Sequence, residues 1–156
     1  MAADGVTNGS LPVAVCAMEP SFRDQVCEAL AQGGQGVLAR AETAEGLLAS
    51  CNGNVPACVV VAADRPDRST VGTVRLIRSM FGGVSTVVVC RRAAAPDVRR
   101  ALELGVGGIV LQDEAREALA TVVAVVCAGQ VAVPSTQRGA VRARALTTRE
   151  KQILVL

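Results

Sequence analysis

The sequence predicts an α/β domain built on a five-stranded parallel sheet, doubly wound, with helices on both faces. Three observations carry this. Short runs such as Ala-Cys-Val-Val-Val-Ala at 57–62 and Thr-Val-Val-Val-Cys at 86–90 are apolar without alternation, which suits strands covered on both faces. The stretches between such runs space their apolar residues at helical intervals. Strand-like and helix-like segments then alternate five times along the chain, the pattern of βα units feeding a parallel sheet.

The elements follow in order. Residues Met1–Ser10 are small and polar and read as a disordered lead-in. Pro12–Ala17 is the first strand. Pro20 opens a helix in which Phe22, Val26, Ala29 and Leu30 recur on one side, and Gly33-Gly34 stops it. Gly36–Arg40 is the second strand. Thr43 caps a helix carrying Leu47, Leu48 and Cys51, which Asn52-Gly53-Asn54 ends. Ala57–Ala62 is the third strand, followed by a loop with Pro66 and a helix near Thr70–Phe81. Thr86–Cys90 is the fourth strand, and Pro96-Asp97 open a helix that closes at Gly105. Gly108–Leu111 is the fifth strand, and Glu114–Ala128 is a long last helix. Val131–Ala145, with Pro134 and several arginines, reads as a linker. The count and spacing predict the flavodoxin-like strand order 2-1-3-4-5 for residues 11–130. Ligands in such sheets sit at the carboxyl ends of the strands.

Composition narrows the function. Hydrophobic residues make up 51% of 156 residues, enough for a real core. The net charge of +2 is too small to identify a nucleic-acid partner by electrostatics. Two Phe with no Trp or Tyr leave little for base stacking. With no His, histidine-dependent triads, metal sites and acid–base catalysis are excluded. Six cysteines at wide, irregular spacing, three of them inside apolar runs, read as reduced thiols of a cytoplasmic protein. No basic signal-peptide start and no apolar run of membrane-spanning length are visible.

The tail, Leu146-Thr147-Thr148-Arg149-Glu150-Lys151-Gln152-Ile153-Leu154-Val155-Leu156, reads as a helix that begins and does not finish. It has a Thr cap, then a polar turn, then Ile153, Leu154 and Leu156 on an apolar face. Its Leu-Thr-x-Arg-Glu opening resembles the first helix of the LuxR/NarL-type helix-turn-helix domain, without the turn and recognition helix. Pro20, Phe22 and Arg23, and the run from Arg100 to Asp113 with its Gly105-Val106-Gly107-Gly108 core, resemble a response-regulator receiver domain, of the CheY-like fold. The two resemblances together imply the regulatory domain of a transcription factor, cut at the start of its DNA-binding domain. DNA would then be a partner only through the residues that are not here.

The receiver resemblance implies a specific chemistry. Two acids after the first strand bind Mg²⁺, an Asp ending the third strand accepts the phosphoryl group, and a Thr or Ser ending the fourth strand and a Lys after the fifth hold its oxygens. The cation lets a carboxylate approach an anionic phosphate. At these positions this chain carries Ala17 and Met18, then Ala62, then Cys90, then Gln112. The aromatic that couples such a site to its output face is replaced by Ile109. No phosphoacceptor, catalytic residue, metal site or cofactor is therefore expected.

Some nearby residues admit functional readings. Glu19 and Asp64 could form a displaced cation site, and Asp64 an alternative phosphoacceptor; solvated loop acids are the plain alternative. Cys90 could be a redox-sensitive thiol or a buried structural one. Arg91 and Arg92 could rim an anion pocket or simply be solvated. Arg138, Arg142, Arg144 and Arg149 could approach DNA phosphates. Val122, Val123, Val125, Val126, Leu119 and Ala118 load the last helix with more apolar surface than one face needs, which suits a homodimer unless the sheet absorbs it all. The leading expectation is a phosphorylation-independent regulatory and dimerisation module, answering to a ligand or protein effector or to none. The alternative is a small-molecule sensor using the apolar strand-end pocket; an enzyme has no supporting residues.

Overall fold

The computed structural model describes residues 11–134 and 153–155. Strands β1 (Pro12–Ala17), β2 (Gly36–Ala41), β3 (Cys58–Ala63), β4 (Ser85–Cys90) and β5 (Gly108–Leu111) alternate with helices α1 (Pro20–Gln32), α2 (Ala44–Cys51), α3 (Arg68–Met80), α4 (Ala95–Glu103) and α5 (Gln112–Cys127). All the strand pairs are parallel, in the expected order β2-β1-β3-β4-β5. Helix starts follow local chemistry. Thr43 Oγ1 accepts from the Gly46 amide at 3.0 Å, and Asp67 Oδ1 accepts from the Thr70 amide at 3.1 Å. The second cap places the start of α3 at Arg68, ahead of the expected Thr70.

The five-strand count is corrected. The sheet has seven strands among the described residues, because β6 (Val131–Val133) and β7 (Ile153–Val155) extend it beyond β5. Val131–Val133 was expected in a linker. Its Val-Ala-Val side chains are at most 3% exposed, and the Ala132 amide donates to the Gly107 carbonyl at 3.1 Å. An open edge at β5 would leave backbone groups unpaired, and a buried apolar triplet beside it satisfies them. Ile153 and Leu154 were expected on the apolar face of a starting helix; they pair with β6 as a parallel strand instead. One helical turn cannot bury its own face, whereas Ile-Leu-Val extended against an edge gains ladder bonds at once. The lead-in at 1–10, the remaining linker at 135–145 and the capped turn at 146–152, with Arg138, Arg142, Arg144 and Arg149, lie outside the described residues.

Alternate residues along each strand feed opposite layers. On one side Phe22, Val26 and Leu30 of α1 and Leu119, Val122 and Val123 of α5 cover Val13, Val15, Val60 and Val89. On the other, Leu47 of α2, Ile77 of α3 and Leu102 of α4 cover Ala14, Val59, Val88 and Ile109. Each Val, Leu, Ile or Phe among them contributes roughly 1.5–3 kcal/mol on full burial. The apolar load of α5 is absorbed here: Leu119, Val122, Val123 and Val126 are buried, and Ala118 and Val125 are half-buried against the same core. The surplus stripe expected on this helix is therefore not exposed in the single chain. α1 and α5 approach so closely that Gly33 has no room for a Cβ beside Ala120. Gln35 bridges the same corner, accepting from the Leu11 amide at 2.9 Å and donating to the Ala120 carbonyl at 3.3 Å.

Candidate functional site

The register of the sheet brings the expected positions together. Ala17 lies opposite Ala62 across β1 and β3, Ala63 opposite Cys90 across β3 and β4, and Cys90 opposite Leu111 across β4 and β5. Ala17, Ala62 and Cys90 are all under 10% exposed. Met18 projects from the loop after β1 and is 81% exposed. Gln112 is the first residue of α5, and its Nε2 donates to Gln25 Oε1 on α1 at 2.8 Å. That amide is committed to the helix pair and supplies no cation to the strand ends.

The charges at this end are paired with one another. The Arg91 guanidinium donates to Glu19 Oε1 at 2.9 Å and stacks over the Phe22 ring, 4.5 Å from its centroid. Ser21 Oγ donates to the same carboxylate oxygen at 3.0 Å. The Arg92 guanidinium donates to Asp64 Oδ2 at 2.7 Å. The Asp64 carbonyl also accepts both the Arg91 and the Arg92 amides at 3.0 Å. Arg23 donates to the Ala17 carbonyl at 3.0 Å. Thus Glu19 and Asp64 face arginines rather than a shared cation position. Bonds from Arg91, and then Ser21, hold the Glu19 carboxyl below its usual range; the bond from Arg92 does the same for Asp64. No cluster of three metal-ligating side chains occurs among the described residues.

Cys90 is the last residue of β4 and is fully buried. Burial pushes its thiol up to about 12, with the nearby Asp64 charge acting the same way. Burial likewise pushes Cys16, on the floor of the strand-end cavity, up to about 11 against the opposing charge of Arg23. Arg91 and Arg92 spend their charge on the two carboxylates instead of activating Cys90. A thiol so protonated is a poor nucleophile and behaves as a small core residue.

Above this floor lies a cavity of about 450 Å³. Ala17, Val61 and Ala62 form its base, and Phe22, Met18 and Leu76 its apolar walls. Thr43, Ser69 and Thr73 supply hydroxyls, and Glu42, Glu45 and Arg91 stand at its rim. Sequence reasoning placed Ala17, Met18 and Ala62 here, with Glu19, Asp64 and Arg91 at the rim, but missed Val61, Phe22, Leu76 and the α3 hydroxyls. Phe22 was read as a core residue of α1, and the β2–α2 loop was read only for its Thr43 cap. The i, i+4 spacing of Ser69 and Thr73 beside Leu76 on α3 was the available signal. A second groove, about 290 Å³, runs between α1 and α5 past Gln25, Glu28, Gln112 and Arg116.

This fold is found in known proteins. A response regulator of the LuxR family from Aurantimonas sp. superposes with a TM-score of 0.71 at 17% identity, over 88% of this chain and 99% of that one. The RcsB response regulator of Salmonella typhimurium gives 0.69 at 17% identity, over 85% of this chain and 67% of that one. The signal receiver domain of the response regulator NarL from Mycobacterium tuberculosis gives 0.65 at 21% identity, over 78% and 98%. The chain has the fold of a receiver domain. No protein-family model and no curated protein matches the sequence. The receiver fold is therefore legible here in backbone geometry alone. No helix among the described residues is long and apolar enough to cross a membrane.

Proposed function

We propose that this chain is the regulatory domain of a DNA-binding transcription regulator of the LuxR/NarL kind, and that it works without phosphoryl transfer. The observation that carries the reading is the set Ala17, Met18, Ala62, Cys90 and Gln112 at the strand-end positions where phosphotransfer needs acids, a hydroxyl and a lysine. In a phosphorylated receiver, a metal and a phosphoryl group draw the loops after β1, β3 and β4 together. Here the Arg91–Glu19 and Arg92–Asp64 pairs tie the same three loops without either group. The domain thus holds one strand-end arrangement by internal charge pairing, and has no catalytic role of its own.

On this reading the domain is cytoplasmic, needs no cofactor, and contributes a dimer contact while a following helix-turn-helix domain reads paired DNA half-sites. RcsB offers a parallel: one structure holds two RcsB dimers bound to two parallel DNAs. The α1–α5 groove is the surface offered for the dimer contact. Beryllofluoride with Mg²⁺ tests the proposal by sedimentation. An unchanged oligomeric state is expected, and a beryllofluoride-dependent dimer would refute it.

A second reading has its own support. The cavity of about 450 Å³ is within the range of small-molecule sites and combines an apolar floor with a few hydroxyls, the carboxylates of Glu19, Glu42, Glu45 and Asp64, and one arginine. A metabolite bound there would bias the same loops. A ligand that binds only the folded form raises Tm, so a thermal screen identifies it, and mutation of Leu76 to Asp should abolish the rise.

A further inference from the structure

We propose that Cys58 and Cys127 are a thiol modification site that hydroperoxides convert to a disulfide, at the end of the sheet opposite the strand-end cavity. Cys58 is the first residue of β3 and Cys127 the last of α5. Cys127 Sγ lies 3.6 Å from the carbonyl oxygen of Ala57, the residue preceding Cys58. Cys58 Sγ donates to the Val59 carbonyl at 3.9 Å, and both side chains belong to the core layer covered by α1 and α5, near enough for each thiol to shift the other's ionisation. Cys58 is fully buried, whereas Cys127 is partly buried. The pair therefore has an outer residue nearer solvent and an inner one sealed from it.

The electrostatics support that order of events. The neighbouring Cys58 thiol lowers the Cys127 thiol against the effect of burial. Cys127, and then burial, raises Cys58 well above its usual value. Cys127 attacks first: its thiolate sulfur displaces the O–O bond of the hydroperoxide and takes one oxygen, and the rest leaves as water or an alcohol. The resulting sulfenic acid faces Cys58. The Cys58 sulfur, losing its proton, attacks the Cys127 sulfur, an S–S bond forms and the S–O bond breaks, releasing water. Two thiols thus give up two electrons and two protons, and the peroxide is reduced. Cys16 and Cys90, raised by burial and facing the other helical layer, stand outside this chemistry.

The position gives the link a consequence. Cys127 is followed by Ala128, Gly129 and Gln130, which lead into β6. A covalent tie from α5 to β3 fixes the segment through which the chain leaves the five-stranded core.

Peptide mapping of the full chain after peroxide treatment, with free thiols alkylated before digestion, tests this. A Cys58–Cys127 cross-linked peptide is expected, with the other four cysteines alkylated, and with Tm raised on the order of 10 °C until dithiothreitol is added. Cys58→Ser should instead leave a Cys127 sulfenic acid that a dimedone probe captures. Recovery of both residues as alkylated peptides, or a link between any other pair, overturns the proposal. So does a link that forms in urea but not in native buffer.

Discussion

Raising the pH distinguishes a core thiol at Cys90 from a reactive one. Cys90 is fully buried at the end of β4, and its thiol ionises near 12 in the folded chain against 9.0 when exposed. Below pH 9 the thiol is protonated in both states, so its contribution to stability is intact. Above that, the unfolded chain releases the proton while the folded chain keeps it, and stability falls until about pH 12. At about 1.4 kcal/mol per pH unit, roughly 2 kcal/mol is lost by pH 10.5 through this one residue. The chain has no His or Tyr and its only lysine is Lys151, so few other groups titrate in that window. Cys16, Cys27, Cys51 and Cys58 are also raised, which makes a paired comparison necessary. Cys90→Val preserves an apolar side chain of similar size and removes the titration. Urea unfolding of both proteins from pH 8 to 10.5 should show the wild type losing about 2 kcal/mol more than the variant. Parallel curves would refute the reasoning, as would alkylation of Cys90 in the folded protein at the rate of an unfolded peptide.

Three further perturbations have definite expected outcomes. Gly33→Ala should cost about 1–3 kcal/mol in urea unfolding because its Cβ meets Ala120, and Ala120→Gly should recover part of that loss. Thr86 is 1% exposed and its hydroxyl has no hydrogen-bond partner among the described residues, so Thr86→Val should gain up to about 1 kcal/mol, read as a higher Tm. Glu19 and Asp64 are both lowered by arginines, so their contribution is present above the unfolded values of 4.5 and 3.8 and is lost as pH falls through the lower folded values. Arg91→Ala should move the Glu19 carboxyl back up while leaving Asp64 low, a change that a carboxyl NMR titration resolves.

The five βα units were legible because each buried strand is a short apolar run and each helix carries one apolar face. The register that sets Ala17 beside Ala62 and Ala63 beside Cys90 then followed from the order 2-1-3-4-5. The extra strands were not legible. Val131–Val133 is too short to show a period, and its identity as a strand depends on the open edge of β5. Ile153–Val155 fits a helical face or a strand equally well, and only the partner decides. At the site, the residues that are missing could be counted along the chain. The Arg91–Glu19 and Arg92–Asp64 pairs could not, because 72 and 28 positions separate the partners. The cavity walls were hidden for the same reason, since they come from three different elements.

Intact-mass spectrometry after incubation with acetyl phosphate and Mg²⁺ decides whether the domain takes a phosphoryl group. With Ala at position 62 and Asp64 engaged by Arg92, one species at the mass of the unmodified chain is expected. A stoichiometric phosphoryl adduct that is labile to hydroxylamine, as an acyl phosphate is, would contradict it.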